Sequence, residues 1–197
     1  MEKELTRRQQ QAQKTKQRIF FSAIALFEKN NYEDVSIANI TEAVGCSVGN
    51  FYHYFKSKEE LIMYGYVMMD QLIEEKIRAV EVKSNVDGIR TLILFQAFCI
   101  NRATAMVTSQ ALRIQLVTGG EYYLNEDRWY HKHLKSLVRA AIEEGEFRQD
   151  CDEEETANAI LRQAIGVLTD WAMRGGSYNL KEAAVRDLNL LLSNFMA

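Results

Sequence analysis

The sequence predicts an all-α protein of about nine helices, from helical spacing and the caps that bound it. Three observations carry this. The chain has no proline and only ten glycines in 197 residues, so few positions are closed to a helix. Apolar residues recur three and four apart along nearly the whole length. Most of these stripes follow a Ser, Thr, Asp or Asn able to cap a helix start, or precede a Gly able to end one.

Taken in order, the first helix runs to Asn30 from about Thr15, or from Thr6 if the charged N-terminal stretch is helical, with Ile19, Ala23, Phe27, Phe20 and Ile24 as its stripe. Asn30 and Asn31 end it, and Tyr32 and Val35 fold the chain back. Ser36 caps a second helix with Ile37, Ile40 and Val44 inward, stopped by Gly45. Two residues later Ser47 caps a third, whose positions Val48, Phe51 and Phe55 share one face and leave Asn50, Tyr52 and His53 to the other. Ser57 and Glu60 form a capping box for a long fourth helix through Leu61, Met68 and Leu72 to about Val82.

Behind it, Ser84 opens a helix carrying Ile89, Leu92, Ile93, Gln96 and Ala97, apolar over most of its circumference and therefore suited to the inside of a bundle. Ala103 to Val117 reads as the next, ended by Gly119 and Gly120, with Tyr122 and Tyr123 in a loop. Asn125 then starts a helix bearing Tyr130, Leu134, Leu137, Val138, Ala141 and Ile142, stopped by Gly145. Asp152 with Glu155 opens a helix to Gly175, its face made of Ala157, Ile160, Leu161, Ala164, Leu168 and Trp171. Asn179 with Glu182 opens the last, striped by Ala184, Leu188, Leu191, Leu192 and Phe195. The expected architecture is a three-helix helix-turn-helix unit in residues 1–60 followed by a helical bundle in 61–197.

Composition fits that reading. Hydrophobic residues make up 47% of the chain and charged residues 26%, enough for a substantial core. No apolar run reaches the roughly 18 residues a membrane span needs, and the N-terminus is charged instead of apolar. A cytoplasmic protein with no membrane partner is expected. Three scattered cysteines, Cys46, Cys99 and Cys151, with no Cys-x-x-Cys pair, fit a reducing compartment. The net charge of −3 is unevenly spread: Lys3, Arg7, Arg8, Lys14, Lys16 and Arg18 face only Glu2 and Glu4 in the first 20 residues. That run is either a solvated tail or an arm lying along a phosphate backbone.

The stretch Ala43-Val44-Gly45-Cys46-Ser47-Val48-Gly49-Asn50-Phe51-Tyr52-His53-Tyr54-Phe55-Lys56-Ser57-Lys58-Glu59-Glu60-Leu61 closely resembles the helix-turn-helix signature of the tetracycline-repressor (TetR) family. It joins the corner glycine, the Ser-x-Gly helix start, the Tyr-x-x-Phe run and the Lys-Glu-x-Leu entry at fixed offsets. Outside residues Thr15 to Leu61 the resemblance is one of length and helix count. It implies a one-component transcriptional regulator, a repressor, that binds a palindromic operator as a homodimer and is released by a small, largely apolar effector. Carried over residue by residue, Ser36, Ser47, Val48, Gly49, Asn50, Tyr52, His53, Tyr54 and Lys58 are the DNA-binding positions. Tyr52 and Lys58 are expected at phosphates, Asn50 and His53 at base edges, and Val48 at a thymine methyl. Tyr54 stands where the family most often has histidine, and Ala38 where some members place a basic reader. The resemblance also implies dimerisation through Glu153 to Arg174 and Lys181 to Met196.

In the bundle, Phe95, Phe98, Arg102, Met106, Trp129, His133, Gln163 and Trp171 are aromatic or polar positions on otherwise apolar faces. Singly each suits core or surface. Together they suit a mostly apolar effector pocket with a few polar contacts. His131 and His133 lie on different helix faces without a carboxylate or cysteine at i+4, so neither a metal nor another cofactor is expected. No nucleophile elbow, His-Glu-x-x-His or phosphate loop is present, which argues against an enzyme. Redox sensing by Cys99 or Cys46 stays open. The alternatives are an effector-independent DNA-binding protein and, from another class, a small-molecule-binding helical protein or enzyme.

Overall fold

A computed structural model describes residues 6–197, so Lys3, Glu2 and Glu4 of the charged run lie outside the described residues. Within them are nine α-helices: α1 Arg7–Phe27, α2 Ile37–Val44, α3 Val48–Tyr54, α4 Lys58–Arg78, α5 Asn85–Asn101, α6 Thr104–Val117, α7 Trp129–Glu143, α8 Glu153–Met173 and α9 Leu180–Leu192. An isolated bridge between Phe147 and Met196 is the only extended pairing among the described residues. The chain forms two compact units, one ending at Gly65 and the other Tyr66–Ala197.

In the first unit the charged N-terminal stretch is helical from Arg7. Thr6 and Gln9 satisfy each other's backbone N–H groups, at 2.9 and 3.3 Å, in a capping box. The first turn nevertheless holds Arg7 and Arg8 and no acid, so their charges oppose the helix dipole. Ile19, Ala23 and Phe27 of α1, Ile40 of α2, Phe51 and Phe55, and Leu61 of α4 form a closed core. Gly45 turns the chain from α2 to α3 at φ +73°, and the Cys46 N–H reaches back to the Thr41 carbonyl at 2.9 Å. That left-handed corner is why glycine is needed there. Ser57 caps α4 through the Glu60 N–H at 3.2 Å, but the Glu60 carboxylate bonds the Lys56 N–H at 2.6 Å, one residue before the expected partner.

In the second unit α5 packs on α7 and α9, and α8 packs on α6, α7 and α9. The core includes Ile89 and Leu92 of α5, Leu134 and Val138 of α7, Ile160 of α8 and Leu188 of α9. The start of α5 is capped from a distance by the Glu146 carboxylate, which accepts from the Asn85 and Val86 N–H groups at 2.8 and 3.0 Å. Although burial opposes its charge, these bonds hold the Glu146 carboxyl below its ordinary value. Between α5 and α6 the axis bends by 108°, and Thr104 takes φ +62° at the corner, a strained position for a β-branched residue. No single helix among the described residues is long and apolar enough to cross a membrane.

The helix expected from Asn125 begins instead at Trp129. Asn125 spends its side chain on the Asp127 N–H at 2.9 Å, and Arg128 turns in to meet Asp70 of α4. The Arg128 guanidinium holds both Asp70 oxygens, at 2.8 and 2.6 Å, with only 8% and 14% of the two side chains exposed. A third bond goes to the Tyr122 carbonyl. The Tyr66, Tyr122 and Tyr123 rings enclose the pair, Tyr66 stacking on Tyr122 at 5.3 Å. Burial disfavours the Arg128 charge, but Asp70 more than offsets it and raises the guanidinium pKa.

Two histidines on α7 are also held neutral. Burial, helped by the Arg128 charge and opposed by Asp70 and Glu126, lowers the His131 pKa. Burial likewise lowers that of His133, which stacks on Trp129 at 4.7 Å, against the pull of Glu74.

Two outcomes follow from this packing. Asp70→Ala strands a buried guanidinium and should cost about 3–5 kcal/mol in denaturant unfolding, whereas Asp70→Leu with Arg128→Met should recover most of it. A double variant no better than Asp70→Ala would show that the pair itself, not the stranded charge, matters. For the histidines, the unfolded chain binds more protons than the folded one below the ordinary pKa of 6.5. Stability should therefore be full above that pH and fall as pH drops below it, before the carboxylates titrate. His131→Asn with His133→Asn should remove that slope in thermal melts, whatever its effect on overall stability.

Candidate nucleic-acid interface and effector site

The seven residues of α3 divide cleanly. Phe51 is fully buried, as is Phe55 just beyond the helix, while Val48, Gly49, Asn50, Tyr52 and His53 are exposed. Val48, inward by spacing alone, is 43% exposed because it opens the helix, a turn away from the anchored Phe51. Tyr54 is half-buried with its ring edge-on to His53 at 4.9 Å. Its hydroxyl is at most a rim group. The Ser47 hydroxyl oxygen takes the Asn50 backbone N–H at 3.2 Å, and the Asn50 side chain is exposed. Ser36 caps α2 in a closed box with Asn39, its hydroxyl donating to the Asn39 amide oxygen at 2.6 Å.

Lys58 is more committed than a free phosphate anchor. Its ammonium donates to the Tyr32 and Val35 carbonyls, both at 2.8 Å, and sits 4.3 Å from the Tyr32 ring centre. One of its three N–H groups is left for a phosphate. Two cations of the basic run are structural as well. Lys16 lies over the Phe55 and Tyr64 rings at 5.0 and 4.5 Å, and Arg18 donates to the Val44 carbonyl at the end of α2 at 3.1 Å. The sequence reading missed both roles. Arg7, Arg8 and Lys14 remain exposed on α1.

The eight expected effector residues lie on or at the ends of α5 to α8. Phe98 and Arg102 are neighbours at 5.9 Å, Trp129 and His133 form a stack, and Trp171 is buried with its indole N–H on the Tyr178 carbonyl at 3.0 Å. Phe95 and Met106 are half-buried. Gln163 stands out: both polar atoms of its amide are buried and without a hydrogen-bond partner among the described residues. One void in the bundle is lined by residues that include Ala97 and Ile100 of α5, Ala164 and Leu168 of α8, and Leu180 and Ala184 of α9. At about 10 Å³ it is at the lower limit for one water.

Burial pushes the Cys99 thiol pKa up, against the pull of Lys76 and Arg102, so it is not a ready thiolate. No three His, Cys, Asp or Glu side chains come together in a metal-binding arrangement among the described residues. The last stripe is spent internally: Leu188 and Leu192 are buried within the chain, leaving Leu190 at 67% and Met173 at 76% exposure.

Residues 19–63, from α1 into α4, match the model of the bacterial regulatory proteins of the tetR family. Over most of its length the chain is similar to the fatty acid metabolism regulator protein of Bacillus subtilis (strain 168), with 23% identity over 179 residues covering 89% of this chain and 92% of that one. It is also similar to the HTH-type transcriptional repressor KstR2 of Rhodococcus jostii (strain RHA1), with 26% identity over 179 residues covering 86% and 85%. Its fold is similar to that of the transcriptional regulator FadR from Bacillus subtilis in complex with stearoyl-CoA, with a TM-score of 0.67 at 22% identity over 91% of this chain and 98% of that one. The match to the tetR-family model falls on the helices that present the free face of α3, and the relatives matched along most of their length are named as transcriptional regulators.

Proposed function

We propose that the protein is a one-component repressor that binds a palindromic operator as a homodimer and is released by a long-chain acyl-CoA. The observation that carries the DNA half is the free side of α3, with Asn50, Tyr52 and His53 exposed on a helix whose other side is fixed by Phe51 and Phe55. Asn50 reads an adenine by two hydrogen bonds, Val48 meets a thymine methyl, and His53 reaches a base edge. Tyr52, the free N–H of Lys58 and the starts of α2 and α3 at Ser36 and Ser47 address phosphates. Gly49 keeps the backbone close to the duplex, and Tyr54 contributes at the rim. Arg7 and Arg8 crowd the positive end of α1 without an acid, a conflict that DNA phosphates would relieve.

For the dimer, Leu190 and Met173 are the apolar side chains that α8 and α9 leave exposed. A two-fold pair of readers suits half-sites spaced by about 34–36 Å or a multiple of it. The acyl-CoA half rests on the relatives, one a fatty acid metabolism regulator and one solved with stearoyl-CoA. The unpartnered Gln163 amide supports it as a buried polar contact in search of a ligand group. At the void between α5, α8 and α9, about 10 Å³, an acyl chain would have to part the helices. The small size of the void favours a second reading, an effector-independent DNA-binding protein, in which palmitoyl-CoA leaves DNA affinity unchanged.

The DNA half is tested by fluorescence anisotropy on duplexes from the region upstream of its own coding sequence. Affinity should fall steeply with salt. Asn50→Ala should cost about 1–3 kcal/mol on the preferred duplex and little on a scrambled one, while Tyr52→Phe should weaken both alike. Equal losses on both duplexes from Asn50→Ala would sink its base-reading role. Leu190→Glu with Met173→Glu should halve the mass seen in light scattering and weaken operator binding. A wild-type monomer at micromolar concentration would refute the dimer.

A further inference from the structure

Three cations from three helices converge on one aromatic ring in the second unit. The Lys76 ammonium in the last turn of α4 lies 5.8 Å from the centre of the Phe98 ring, and the Arg102 guanidinium and the Lys181 ammonium each lie 5.9 Å from it. Any two of them are therefore within about 12 Å of each other. Among the described residues none of the three has a carboxylate within ion-pairing distance, although ion pairs are common elsewhere on the surface.

Two of these charges have an ordinary explanation. Lys76 and Arg102 stand at the C-terminal ends of α4 and α5, where a cation complements the helix dipole. Lys181 has none. It is the second residue of α9, at the positive end where an acid is favoured. Glu182 beside it is turned to the cap, accepting from the Asn179 amide at 2.6 Å. Burial pushes the Cys99 thiol pKa up, and the Lys76 and Arg102 charges beside it pull the other way. Three unneutralised cations so close together are the arrangement that a multiply charged anion stabilises.

The cluster also adjoins the void between α5, α8 and α9. Ala97 and Leu180, the residues just before Phe98 and Lys181, line it. An apolar chain and a polyanionic head thus find complementary surfaces side by side.

We propose that Lys76, Arg102 and Lys181, gathered about Phe98, receive the phosphate groups of an acyl-CoA effector whose acyl chain parts α5, α8 and α9 at the adjoining void; this placement rests on the acyl-CoA reading above. The test titrates palmitoyl-CoA, palmitate and coenzyme A separately into the full-length chain and into Lys76→Gln/Arg102→Gln/Lys181→Gln, with thermal melts to establish that the variant folds. The wild type should bind palmitoyl-CoA more tightly than palmitate, with an affinity that falls as salt rises. The triple variant should lose at least tenfold for palmitoyl-CoA and little for palmitate, and Lys181→Arg should bind like the wild type. A triple variant that binds palmitoyl-CoA within twofold of the wild type would overturn the placement while leaving the acyl-CoA reading intact. Coenzyme A held through the same three cations, without any contribution from the acyl chain, would support the anion site and overturn the acyl reading. Binding of none of the three by the wild type would overturn both.

Discussion

A helix of seven residues has no stability of its own in water, because the cost of nucleating it exceeds what so few hydrogen bonds return. The exposed side of α3 therefore exists only as the reverse of a buried one. Phe51 and Phe55, with 0% and 1% of their surfaces accessible, tie the helix into the core of the first unit. The surrounding parts serve that attachment: Gly45 makes the corner, Ser47 caps the start, Lys16 covers the Phe55 ring, and Arg18 caps the end of α2. Lys58 closes the frame from α4 by holding two carbonyls of the turn before α2. Much of the basic charge in this unit is thus structural. The side chains that remain free on α3 are small or aromatic polar groups, suited to reading bases on top of a general attraction to phosphate.

The helix that carries Lys58 at its start carries Asp70 three turns later. Asp70 is gripped by Arg128 in a shell of tyrosines, which fixes α4 to the segment before α7. Within α4, Lys58 is held in the first unit, and in the second Asp70 makes an ion pair with only 14% of its side chain exposed. Such a pair resists gradual deformation, since breaking it leaves a charge buried alone.

The helix framework was legible in the sequence because caps and stripes are local. Ser36, Ser47, Asp152 and Asn179 all cap the helices expected of them, and of the two starts left open for the first helix it is Thr6 that caps it. What could not be read depends on partners distant in the chain. Arg128 draws the start of α7 away from Asn125 because it meets Asp70, 58 residues earlier. Glu146 caps α5 from 61 residues away, and Lys58 finds its carbonyls 23 and 26 residues back. Periodicity put Val48 inward, but a first-turn position is not yet against the core. At the proposed effector site, Phe98 and Arg102 were marked by their residue types, whereas Lys76 and Lys181 were not, because only the fold brings them to the same ring. The one available signal was Lys181 itself, a cation at the wrong end of a helix.

On the proposed function, DNA and an acyl-CoA compete through one equilibrium of the folded chain. Thermodynamic linkage makes this measurable without knowing the motion: whatever factor palmitoyl-CoA imposes on DNA affinity, DNA must impose on palmitoyl-CoA affinity. Calorimetric titration of palmitoyl-CoA into the protein, alone and saturated with operator duplex, tests it most directly. The account predicts affinity weakened roughly 5- to 150-fold by the duplex, matching the factor by which palmitoyl-CoA weakens DNA binding. Equal palmitoyl-CoA affinity with and without operator would contradict it.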